Sequence, residues 1–238
     1  MKNKLNVLNC IILISLNVVS QAEINVTSTS GVAIINGRVV SQSKNLIEGS
    51  GNVKTETLTL HPFDTIEINL PINVNIQVGE NSFCVITADD NILPLLITDV
   101  DNDILTIDSK KDFVTYQKLS ISITTQHLSK VVVNGSGDVN ISGVKDNKLN
   151  LETNGTGNII ATGQVNNLNV QLNGAGDMKL YDLKALAAEV SLNGAGTIQI
   201  FASDTFSGEL IGSGDITIRG NPKILRSNIV GAGDIEIK

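Results

Sequence analysis

From residue 131 onward, apolar and polar residues alternate on both sides of a recurring glycine triplet. The first copy is "VVVNGSGDVNIS", Val131 to Ser142. Triplets of the form GxG begin at Gly135, Gly155, Gly174, Gly194, Gly212 and Gly231, at intervals of 18–20 residues. Four residues after the first glycine come Val139, Ile159, Met178, Ile198, Ile216 and Ile235. Six after it come Ile141, Ala161, Leu180, Ile200, Ile218 and Ile237. Two before it come Val133, Thr153, Leu172, Leu192, Leu210 and Ile229, and four before it Val131, Leu151, Val170, Val190, Gly208 and Ser227. A period of two on both sides of the triplet predicts strands with one buried face each. A looser second turn follows, marked by Gly143, Gly163, Asp182, Ala202 and Gly220.

A two-stranded unit cannot bury its apolar face alone. Stacking the copies at a strand spacing of about 4.8 Å joins the four apolar columns into one core. The expected fold is all-β: a right-handed parallel β-helix or β-solenoid, right-handed because parallel crossovers take that hand. A chain of antiparallel hairpins is the alternative. The triplets lack the Asn-Gly two-residue hairpin signature, and matched columns favour parallel stacking. Ile216 is predicted to lie buried between Ile198 and Ile235, with Thr217 facing outward. Before residue 131 the pattern is less regular. "EGSGNV" offers an earlier triplet at Gly49, and "TIEINL", "INVNIQV", "FCVITA", "ILTID" and "LSISIT" read as strands. "DDNILPLL" suggests one helical turn at Asn91 to Leu93, ended by Pro94. The expected organisation is a segment 1–22, a polar leader 23–46 with a hairpin signature at Asn36-Gly37, and one solenoid domain 47–238, irregular over 47–130 and regular over 131–238.

Composition narrows the core and the compartment. Aromatic residues make up 3% and Trp is absent, so Val, Ile and Leu must fill the interior. A net charge of −7 without a basic cluster argues against nucleic-acid binding. Lys2 and Lys4, the apolar run Val7 to Val19 and Ser20-Gln21-Ala22 read as a secretory signal, with an uncleaved anchor as the alternative. Cleavage would leave no transmembrane span and place the mature start near Glu23. Cys10 precedes most of the apolar run, which does not suit a lipoprotein site. Cys84 is then the lone cysteine, so no internal disulfide can form. Its alternating context reads as a buried small hydrophobe.

A phosphate loop opens a helix, whereas each GxG here opens a strand. Gly135, Gly137, Gly155, Gly157, Gly174, Gly176, Gly194, Gly196, Gly212, Gly214, Gly231 and Gly233 are therefore read as structural turn residues. Asn134, Asn154, Asn173 and Asn193 precede the triplets, as an amide ladder or as a simple turn preference. Sequons at Asn25, Asn134, Asn140 and Asn154 arise mostly from the repeat pattern itself. Asp138, Asp177, Asp215 and Asp234 follow the triplets, interrupted by Asn158 and Thr197. They accept turn N–H groups, or they form a Ca²⁺ row in which Asp215 and Asp234 are the candidate metal ligands. His61 and His127 are too few for a histidine-based zinc site or a triad. The acidic clusters at Ala88 to Asp90 and Asp99 to Asp103 could supply a carboxylate pair, or be solvated loops. No catalytic residue and no cofactor is assigned.

The phrase "IEGSGNV" before "FDTIEI", then "ADDNILPLLITDV" with "ILTI", then serial "NGSGDV/NGAGD" turns, resembles the putative auto-transporter adhesin head family, the GIN domain. The resemblance covers about Ile47 to Lys238. It implies a right-handed β-helical fold shaped like the pectin lyases, bacterial origin, export and cell adhesion, with no catalytic or binding residues to transfer. The sequence ends at Lys238, directly after the last repeat strand, so self-secretion through a barrel domain is not expected of it. The resulting expectation is an exported, non-enzymatic protein of the periplasm, outer-membrane surface or extracellular space, binding a carbohydrate or protein ligand. Alternatives are a carbohydrate-active enzyme on the same scaffold and a structural envelope protein that stacks end to end as a homo-oligomer.

Overall fold

A computed structural model describes the strands Val26–Thr29, Val32–Ile35 and Arg38–Ser41 and the continuous stretch 46–238. The segment read as a secretory signal lies outside the described residues. Met1–Lys44 and Asn45–Lys238 form two compact units. In the first, the three strands pair antiparallel. Ile35 sits opposite Arg38; the Asn36-Gly37 hairpin signature lies outside the described residues.

The second unit is an all-β solenoid of about 5 turns. Its strands form two walls, one upstream and one downstream of the glycine turns. In the upstream wall Val131, Leu151, Val170, Val190, Gly208 and Ser227 lie in parallel register. In the downstream wall Ile159, Met178, Ile198, Ile216 and Ile235 do the same. Each strand is identical in phase to the one beneath it, so the inward columns are almost wholly apolar. Val133, Leu172, Leu192, Leu210, Ile198 and Ile216 are all fully buried.

The second turn is looser in the structure as well as in the sequence. Ile159–Gly174, Asp177–Gly194 and Thr197–Gly212 each run through it as one bent strand, from the downstream wall into the upstream wall. Register shifts fall here, between Leu180 and Lys184 and between Ala185 and Ala187. Differences in rung length are thereby absorbed at the corner.

Two irregularities in the core have visible compensations. Gly208 leaves a gap in its column, and the buried ring of Phe206 fills it from two residues away. Thr153 replaces an aliphatic residue between Val133 and Leu172. Its hydroxyl is buried without a hydrogen-bond partner.

Below residue 131 the stack departs from sequence order. Thr65–Ile68 and Val74–Val78 form the rung directly under Lys130–Gly135 and Val139–Val144. Their connection, Leu70-Pro71-Ile72, lies under the first glycine turn in place of a triplet. Beneath that rung lie Ile104–Ser109 and Ser120–Thr125, still parallel. Leu96–Asp101 and Phe83–Asp89 then pair antiparallel, and Val53–Thr59 is the antiparallel edge. Lys54 and Glu56 on that edge disfavour further pairing.

Three expectations need correction. The helical turn is a 3-10 turn at Leu93–Leu95 and contains Pro94. Proline is tolerated there because the first turn leaves its N–H groups unpaired anyway. Thr217 does not face solvent: it is 7% exposed, and its Oγ1 accepts a hydrogen bond from Tyr181 at 2.7 Å. Arg219 stacks 4.0 Å above the same tyrosine ring and closes the cover. The triplet at Gly49 is not a turn of the stack. Its loop folds onto Asp89, Asp90 and Asn91 instead.

Candidate functional site

The glycine turns form one edge of the solenoid. The first glycine of each triplet has φ between +132° and +151°. At Gly194 a side chain would also meet the carbonyl of Gly174, one rung below. The second glycine has no such φ, but at Gly196 a Cβ would strike the Gly176 carbonyl. The two positions thus need glycine for different reasons. The carbonyls remain in use: Ala195 donates its N–H to Gly174 O at 3.0 Å.

Side chains flank this edge in two columns. Asn193 donates Nδ2 to Asn173 Oδ1, Asn173 to Asn154, Asn154 to Asn134, and Asn134 to Asn69, at 2.8–3.1 Å. The amide ladder therefore includes Asn69, which no triplet marks. Ile211 and Val230 continue the column beyond it. On the other flank, Asp138 Oδ1 accepts the N–H of Asn158 and Asp177 Oδ1 that of Thr197. Asp215 and Asp234 are in register, with Asp215 Oδ1 accepting the Asp234 N–H at 3.1 Å. Asp234 Oδ1 in turn accepts the Ile235 N–H. Among the described residues no group of three or more His, Cys, Asp or Glu is arranged to hold a metal.

The acidic clusters have structural partners. Asp89 is 1% exposed and accepts hydrogen bonds from Gly51 N–H, at 2.8 Å, and from the Thr115 hydroxyl. Asp90 accepts from Ser50. Asp101 pairs with Ile104 across Asn102 and Asp103, both at positive φ, so this cluster is a tight hairpin turn. His127 is exposed and bonded to Asp146 at 3.0 Å. Cys84 is buried, and burial pushes its thiol up to about 12.

The sequence reading passed over the outer face of the upstream wall. Seven residues before the first glycine stand Lys148, Asn167, Ala187, Thr205 and the exposed Ile224, with the buried Leu128 in the first copy. Five before it stand Lys130, Asn150, Asn169, Glu189, Ser207 and Arg226, and three before it Val132, Glu152, Gln171, Ser191, Glu209 and Asn228. These columns are in register from strand to strand. Shallow open depressions lie on this face, two of which share Asn169, Glu189, Ser207 and Arg226. The signal that could have found it is the same count from the glycine, applied to the odd positions.

No helix among the described residues is long and apolar enough to cross a membrane. A search of curated proteins finds no match. Solved structures do match. A putative adhesin from Bacteroides fragilis has a TM-score of 0.69 at 22% identity, covering 81% of this chain and 100% of its own. A putative lipid binding protein from Parabacteroides distasonis has a TM-score of 0.54 at 21% identity, over 81% of this chain and 99% of its own. A putative adhesin from the same species has a TM-score of 0.51 at 16% identity, over 82% and 100%. At these identities the likeness is one of fold. Residues 62–222 match the family described as "Putative auto-transporter adhesin, head GIN domain", and the chain belongs to that family.

Proposed function

We propose that this protein is exported and acts at the cell surface as a non-enzymatic adhesion module, holding its ligand against the outer face of the upstream wall. Family membership supports a surface, adhesion-like role. The observation that carries the choice of face is the set of in-register polar columns ending in open depressions. A rigid stack fixes the spacing of those groups before any ligand arrives, which lowers the cost of ordering them on binding. The carboxylates an enzymatic reading would draw on, Asp89 and Asp90, are held by the Gly49–Gly51 loop.

Protease treatment of intact cells tests the placement. Digestion of this chain while a periplasmic marker survives is the expected result. Protection of both until the outer membrane is opened would overturn the surface role.

A further inference from the structure

We infer that the outer face of the upstream wall takes a neutral, linear polysaccharide lying along the solenoid axis, an inference that rests on the binding role proposed above. The starting point is a contrast between asparagines in the same wall. Asn134, Asn154, Asn173 and Asn193 bond to one another through their amides. Asn167 and Asn169, on strands of the same stack, have no side-chain partner among the described residues, and neither have Gln171, Glu189 and Arg226. Their groups are planar and present two hydrogen-bonding atoms each. A planar pair of donors or acceptors matches vicinal hydroxyls, which a sugar chain repeats along its length.

Charge narrows the class. Lys130, Lys148 and Arg226 stand against Glu152, Glu189 and Glu209 on this face. Lys130 and Glu152 neutralise each other at 3.3 Å. A balanced face within a chain of net charge −7 has no field to attract a polyanion. Of the residue types that most often anchor a protein partner, the columns contain no Trp or Tyr and a single Arg, Arg226. What is left is a lattice of amides, hydroxyls and charges of both signs in equal number, suited to an uncharged polyol.

Spacing gives the direction. Successive strands are about 4.8 Å apart along the stack, close to the length of one sugar unit in a linear chain. The column Asn150, Asn169, Glu189, Ser207, Arg226 therefore offers one polar group per sugar over five successive strands.

The test uses the full chain in affinity gel electrophoresis and calorimetry against mixed-linkage β-glucan, glucomannan, arabinoxylan and amylose. Polygalacturonate and heparin serve as charged probes. The expected result is retardation by at least one neutral polysaccharide. An Asn169→Ala, Gln171→Ala double variant should weaken it about tenfold or more with an unchanged melting temperature. A Lys179→Ala, Gln199→Ala variant of the opposite wall should bind as the parent does. Retardation only by polygalacturonate or heparin, equal losses in both variants, or no retardation by any neutral polysaccharide would each overturn the inference. If the first variant still abolished cell attachment while no neutral polysaccharide bound, the ligand class would fall and the adhesion role would stand. If binding followed the prediction in a protein shielded on intact cells, the surface role would fall and the ligand class would stand.

Discussion

Between residues 131 and 238 each rung is laid on the one just before it in the chain. Between 53 and 125, sheet neighbours come from segments out of sequence order, and Ile104–Ser109 slips between Thr65–Ile68 and Leu96–Asp101. Both regions have cores of Val, Ile and Leu, but exposed aliphatic residues such as Ile211, Ile224 and Val230 belong to the regular one. They differ in what fixes the register. In the regular region the glycine turn repeats at every rung, and an amide ladder joins the rungs up to Asn193. In the other, antiparallel pairs and one buried carboxylate, Asp89, hold particular segments together. Regular stacking depends on glycine where backbones touch, and the irregular region depends on specific polar contacts.

The two superficially identical triplets give the widest separation. Gly194→Val should cost more than about 3 kcal/mol, because it combines an unfavourable φ with a backbone clash. Gly51→Ala meets nothing within 4 Å and should cost only the φ penalty at +83°, about 1–2 kcal/mol. Urea unfolding of both variants measures the difference, and equal midpoints would erase the distinction.

Next in size is the carboxylate clamp. Asp89→Ala strands the Gly51 N–H and the Thr115 hydroxyl and should cost about 1–3 kcal/mol. Asp177→Ala removes one acceptor, for the Thr197 N–H, and should cost about 0.5–1.5 kcal/mol. Hydrogen exchange should speed up at residues 49–52 in the first variant and near Thr197 in the second.

Thr153→Val should move the other way. It keeps the shape and removes an unpartnered buried hydroxyl, so it should stabilise the chain by about 1 kcal/mol, read as a rise in melting temperature.

Cys84 should change least near neutral pH. Its thiol ionises at 9.0 when unfolded and near 12 when native. The stability this provides is present below pH 9 and is lost as pH rises from about 9 toward 12. A Cys84→Ala variant should show a shallower decline over that window. The native thiol should also resist a disulfide reagent at pH 8 until the chain unfolds.

The inward columns were legible because one marker, the first glycine, fixes the phase of everything near it. The outer columns used the same phase but are mixed in residue type: Asn150, Asn169, Glu189, Ser207 and Arg226 do not look like a set until stacked. Thr217 was misread because its cover, Tyr181, comes from 36 residues earlier. Asn102 and Asp103 stood inside a cluster read as a carboxylate pair or a solvated loop, although their αL conformation makes a hairpin turn. The order of the first rungs had no local signal, since Thr65–Ile68, Phe83–Asp89 and Ser120–Thr125 alternate alike and any could neighbour any other. Asn69 joins the amide ladder through a contact 65 residues away.

The bent corner between the walls has an evolutionary consequence. Perimeter can grow or shrink there by a few residues, as at Tyr181 to Leu183, while the inward columns of the two walls stay in phase. Insertions and deletions that would ruin an ordinary sheet are confined to one seam. A lineage carrying this fold can drift in repeat length and still inherit the same ordered rows on its outer wall.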